Sequence, residues 1–93
     1  MAQVSWTKKS LKDLKAINDF ISLDSSFYAA RFISKVIKRV DQLVDHPESG
    51  RVVPEKNNPE IRELIEGNYR IFYRFRKGDV TILRIHNAAR KIK

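Results

Sequence analysis

Residues 67–78 read GNYRIFYRFRKG, and their even positions carry Arg70, Phe72, Arg74 and Arg76. In an extended strand these four point to one side, while Tyr69, Ile71, Tyr73 and Phe75 point to the other. Further on, VTILRIHNAAR adds Arg84, His86 and Arg90. An arginine fork grips a planar oxyanion, phosphate or carboxylate, through two parallel hydrogen bonds. An imidazole exchanges a proton near neutral pH. A face of this composition could bind an anionic partner or stabilise charge developing on one. The plain reading stands beside it: basic residues on an open sheet face keep it soluble and block edge pairing, and His86 only hydrogen-bonds at a strand end. Arg76, at a hairpin tip, suits that plain reading; mid-strand Arg70 and Arg84 suit an anion contact better.

The elements that would hold these residues follow from the apolar spacing. Leu11, Leu14, Ile17 and Ile21 recur at three- and four-residue steps and predict a helix near residues 8–22, with Thr7 as its N-cap. Asp24 or Ser25 can cap a second helix, whose stripe is Ala30, Ile33, Val36, Ile37, Val40, Leu43 and Val44. Pro47 stops it. The short connection predicts an antiparallel helical hairpin. HPESGRVVPEKNNPE reads as a loop crossing to a sheet, and QVSW as a short edge strand.

Three strands are predicted at about 61–66, 69–76 and 80–86. Gly67-Asn68 makes a two-residue turn that sets Leu64 opposite Ile71 and Glu63 opposite Phe72. For the next turn we choose a three-residue loop, Lys77-Gly78-Asp79, because a two-residue turn would carry Arg84 onto the apolar face. This register puts Arg74 opposite Ile82, Phe72 opposite Arg84 and Arg70 opposite His86. It gathers Arg70, Arg74, Arg76, Arg84 and His86 on one face, with Phe72, Val80 and Ile82 between them. The expected core holds Leu14, Ile17, Ile33, Val36, Ile37, Val40, Leu64, Ile71, Tyr73, Leu83 and Ile85, with Phe27, Tyr69 and Phe75. Trp6 is expected to cover the seam between first helix and sheet, and Asp13 to cap or pair locally.

The whole fits a single domain over residues 1–93. Of 93 residues, 42% are hydrophobic, enough for a modest core. The net charge of +8 suits an anionic partner. No cysteine is present, which excludes disulfides and thiolate metal sites. His46 and His86 form no ligand cluster, so neither metal nor cofactor is expected. No stretch approaches the roughly 20 apolar residues of a membrane span and none reads as a signal peptide. The expected compartment is the cytoplasm, with no membrane partner.

Taken in order, SWTKKSLKDLKAINDFI, HPESGRVVPE, IRELIEGNYRIFYRF and VTILRIHNAAR resemble the RelE/ParE superfamily of type II toxin–antitoxin toxins, over nearly the whole chain. GRVVPE, REL, GNYRIFYR and the closing His-x-x-x-Arg resemble its plasmid-stabilisation branch. The resemblance implies an α+β fold, two helices packed on a small, mainly antiparallel sheet of three to four strands. It also implies a cognate acidic antitoxin as partner.

RelE-like members cut mRNA on the ribosome, whereas ParE-like members poison DNA gyrase. RNA cleavage through a 2′-hydroxyl needs a base, an acid and cations for the phosphorane. Arg70 matches the arginine of the YR strand, and Arg90 the second basic residue. The lysine positions of RelE-like proteins fall on Ile61 and Glu63, and no C-terminal tyrosine follows. The cations are present and the proton-transfer groups are poor. The leading expectation is therefore a ParE-like growth inhibitor acting on DNA gyrase, with Arg70, Arg74, Arg84, His86 and Arg90 as target-binding residues. The alternatives are a RelE-like ribosome-dependent endoribonuclease using Arg70, His86 and Arg90, and a non-toxic antitoxin-binding module.

Overall fold

A computed structural model describes residues 1–88. The chain runs β1 (Gln3–Trp6), α1 (Lys8–Ser22), α2 (Ser26–Asp41), a 3-10 turn (Gln42–Val44), β2 (Arg51–Val52), β3 (Ile61–Glu66), β4 (Tyr69–Arg76) and β5 (Asp79–Asn87). The strands form one sheet in the order β1-β5-β4-β3-β2, with β1 parallel to β5 and the other pairs antiparallel. The helical hairpin packs on one face. The α+β architecture is as expected, but the strand count is five. The extra strand is β2, a two-residue piece inside the proline-rich crossing, too short to show a period.

Both helices start where their caps dictate. Thr7 Oγ1 accepts from Ser10 N at 3.0 Å, and Ser25 Oγ accepts from Tyr28 N at 3.1 Å. α1 turns Ile17 fully inward, with Leu14 and Ile21 partly buried against the core. α2 is rotated from the expected stripe. Ala29, Val36, Val40 and, just beyond, Leu43 are buried, whereas Ile37 is 43% and Phe27 63% exposed. The apolar arc of α2 is wider than the sheet can cover. Its outer part, Ala30, Ile33 and Ile37, meets Leu11 and Leu14 of α1 in an open groove of about 550 Å³.

The β3–β4 hairpin keeps the predicted register, Leu64 against Ile71 and Glu63 against Phe72. The β4–β5 hairpin uses two registers. Its turn is Lys77-Gly78, so Arg76 pairs with Asp79, Phe75 with Val80, Arg74 with Thr81 and Tyr73 with Ile82. Between Tyr73 and Phe72 the ladder slips by one residue, and Leu83 is the unopposed residue of a β-bulge. From there Phe72 faces Arg84 and Arg70 faces His86, as predicted. The slip corrects the expected face of three residues. Val80 and Ile82 are fully buried in the core, not on the basic face, while Leu83 leaves the core for the open face.

The bulge is held from the far end of the chain. Thr7 Oγ1 donates to Leu83 O at 3.0 Å, and Thr7 N donates to Ile82 O at 3.1 Å. Trp6, partly buried against the core, pairs with Ile82 beside this junction. On the other side of the sheet Tyr73 ties down the crossing loop. Its hydroxyl donates to Pro47 O at 2.8 Å and accepts from Gly50 N at 2.9 Å. A Cβ on Gly50 would stand 2.6 Å from both that hydroxyl and Glu63 O, so only glycine allows this approach.

Candidate functional site

On the sheet face away from the helices, β4 and β5 floor a hollow of about 860 Å³. Arg70, Phe72, Leu83, Arg84 and His86 line it from the sheet; Val53, Glu55 and Lys56 line it from the loop between β2 and β3. Val53 is 1% exposed and anchors that loop. The period-2 alternation of β4 is what delivers Arg70 and Phe72 to this face.

Arg70 is at the centre. Its Cζ lies 4.8 Å from the Phe72 ring centroid, and the His86 ring meets Phe72 edge-on at 5.5 Å. The guanidinium is held by two carboxylates through three of its five N–H donors: Nε donates to Glu63 Oε1, Nη1 to Glu55 Oε2 at 2.7 Å and Nη2 to Glu55 Oε1 at 3.0 Å. Glu63 is buried, and its other oxygen accepts from Arg51 Nε. A buried carboxylate needs such partners to remain charged. The bidentate pair with Arg70 pulls the Glu55 carboxyl down to about 2, and both glutamates raise the affinity of Arg70 for its proton.

Arg84 is held from α1. Nε donates to Asp13 Oδ2 at 2.8 Å and Nη2 to Asp13 Oδ1 at 3.2 Å, while Ile85 N donates to Asp13 Oδ2 at 2.9 Å. Burial disfavours the Asp13 carboxylate, but these bonds outweigh it and its pKa falls below the ordinary value. His86 is also pushed below its ordinary value, first by burial, then by Arg84 and Arg70, against an opposing pull from Asp13.

The structure thus brings Arg70, Arg84 and His86 together. Arg74, opposite Ile61 and Thr81 nearer the tip, is exposed and outside the hollow's lining. Arg76 is also exposed, 3.9 Å from Glu60. Arg90 lies outside the described residues. Glu63 was legible as a neighbour of the arginines. Glu55 was not, because nothing in a proline-rich loop reports what it folds onto. Asp13, expected to act locally, reaches instead across 71 positions to Arg84. Among the described residues no group of three or more acidic, histidine or cysteine side chains could hold a metal ion, and no helix is long and apolar enough to cross a membrane.

Residues 4–92 match the sequence model of a family described as ParE toxin of type II toxin-antitoxin system, parDE. A relative in Caulobacter vibrioides, Toxin RelE2, is 40% identical over 91 residues, covering 97% of this chain and 99% of its own. Among solved structures, a chain of the chromosomal ParDE toxin–antitoxin system from P. aeruginosa superposes with a TM-score of 0.74 at 27% identity, covering 94% of this chain and 96% of that one. A chain of the toxin–antitoxin complex RelBE2 from Mycobacterium tuberculosis shares the fold, with a TM-score of 0.69 at 20% identity over 92% of this chain and 96% of that one.

Proposed function

The chain belongs to the ParE toxin family, within the RelE/ParE superfamily of type II toxin–antitoxin toxins, and on that premise we propose that it is a ParE-like inhibitor. It arrests growth by binding DNA gyrase in the cytoplasm through its basic sheet face and is silenced by a cognate acidic antitoxin. One observation carries the choice of a binding inhibitor over a ribonuclease. Among the described residues, the hollow that holds Arg70, the arginine that a RelE-like reaction would use, offers one imidazole, His86, and no second such group to complete an acid–base pair. Glu63 stands where RelE-like proteins place a lysine. Neither a tyrosine nor a second histidine lines the hollow among the described residues. Cations are present without an acid–base pair to move the protons.

The antitoxin reading is supported by the surface around the helices. The groove between α1 and α2 is mainly apolar with Lys15 as the charged residue of its lining, and the same two helices expose Lys8, Lys12, Lys35 and Lys38. An acidic amphipathic segment that orders on binding fits such a groove.

The alternative, a RelE-like ribosome-dependent mRNA endoribonuclease, draws on the Arg70–Phe72–His86 cluster and on the name of the Caulobacter relative. Two assays of purified protein separate the readings. Inhibition of gyrase supercoiling, with mRNA intact on programmed ribosomes, is the expected result. Ribosome-dependent cleavage with unimpaired supercoiling would replace the first reading with the second.

A further inference from the structure

The two carboxylates on Arg70 are held in different ways. Glu63 is a fixed counter-ion: its side chain is 0% exposed and lies between Arg51 and Arg70. Glu55 has a side chain that is 55% exposed, on a loop whose residues 54–59 are all exposed. Among the described residues its backbone is pinned near its base, where Val53 N donates to Ile61 O at 3.1 Å and Ile61 N to Asn58 O at 3.1 Å. Short turn contacts, Lys56 N to Val53 O at 3.2 Å and Glu60 N to Asn58 Oδ1 at 2.9 Å, shape it without tying it to the sheet. The side-chain bonds of Glu55 to Arg70 do that.

We propose that Glu55 is a gate: a tethered carboxylate occupying the seat on Arg70 that an oxyanion of a partner would take. With the gate closed, both terminal nitrogens of Arg70 face Glu55. With residues 54–59 swung outward, Nη1 and Nη2 face the hollow beside Arg84, and Glu63 still fixes Nε. The fork then presents two parallel donors to a phosphate-like group. Because anion and gate compete for one seat, the apparent affinity of the face equals its intrinsic affinity scaled by the open fraction. The gate regulates the same face assigned above to the target and rests on that reading only for its biological consequence. A small-anion titration reads it without gyrase or ribosome, so the two can fail separately.

The experiment is a titration of the full chain with pyrophosphate, followed by amide chemical shifts in β4 and β5. Glu55→Gln is expected to bind about tenfold more tightly than the parent, as for a gate shut about nine-tenths of the time. Glu60→Gln, which removes the same charge from the end of the loop, is the control and is expected to change affinity by no more than about twofold. Adding Arg70→Lys to Glu55→Gln keeps the charge and the fold but removes the fork, and is expected to erase most of the gain. An unchanged affinity in Glu55→Gln overturns the gate, as does an equal gain in Glu60→Gln or a gain that survives Arg70→Lys.

Discussion

Asp13 and Arg84 stand 71 positions apart in the chain and meet through two hydrogen bonds, while the same carboxylate caps Ile85 N–H. Arg84 is 44% exposed, so the ion pair itself is screened and contributes little. The cap on a partly buried backbone donor contributes more. Asp13→Ala is therefore expected to cost about 1–3 kcal/mol in urea denaturation, and Arg84→Ala less than about 1 kcal/mol. Equal losses for the two variants would show that the ion pair, not the cap, holds α1 to β5.

Arg70→Ala tests the basic face in two ways. It leaves buried Glu63 with Arg51 alone and is expected to destabilise by about 1–3 kcal/mol. Glu63→Gln in the same chain should restore part of that loss, giving a positive coupling in a double-mutant cycle. In cells, at a temperature where the variant is folded, Arg70→Ala should no longer inhibit growth, and Arg70→Lys should inhibit weakly. Full toxicity from folded Arg70→Ala would move the target contact off this face.

Three of the groups that set the pH dependence at the sheet face share one sign. Asp13, Glu55 and His86 all have folded values below their unfolded ones. In each case the unfolded chain takes up its proton first as pH falls, so acid favours unfolding. Urea midpoints should hold at neutral pH and decline below about 6.5 as His86 begins to contribute. They should fall further below about 4 as the carboxylates titrate, down to about 2 for Glu55. His86→Gln should abolish the first decline and leave the second. A midpoint that stays flat from pH 7 to about 4 would contradict the placement of His86.

Ile37 separates antitoxin binding from folding. It is 43% exposed in the groove between the helices. Ile37→Asp should leave thermal stability within about 1 kcal/mol of the parent. It should weaken binding of the product of the adjacent gene by about tenfold or more, because a charge enters an apolar anchor site facing an acidic segment. Undiminished affinity would place the antitoxin elsewhere.

The sequence foretold most of what depends on near neighbours, the two-residue Lys77-Gly78 turn excepted. Thr7 and Ser25 mark both helix starts, and Gly67-Asn68 sets the β3–β4 register. What else escaped depends on distant partners. The bulge at Leu83 is pinned by Thr7, 76 positions away, and the strand past it is capped by Asp13. Alternation along β5 alone could offer one register or the other, not a change between them. The same holds for the site. The arginines and His86 were visible as an alternating row, but the clamp of Glu55 requires knowing that the crossing loop folds back over the sheet. Ile37 and Phe27 were misplaced because an apolar stripe does not say how much of its width the sheet will cover.

β1 pairs in parallel with β5, Gln3 beside Asp79 and Trp6 beside Ile82. During synthesis the first strand to leave the ribosome must therefore wait for the last. The helical hairpin and the β3–β4 hairpin, built from local contacts, can form while translation continues, but β1 has no strand to join until β5 has emerged. Pairing across so long a chain segment is slow compared with local closure. The sheet is thus completed only late, and until then the nascent polypeptide carries an unpaired strand edge open to other chains.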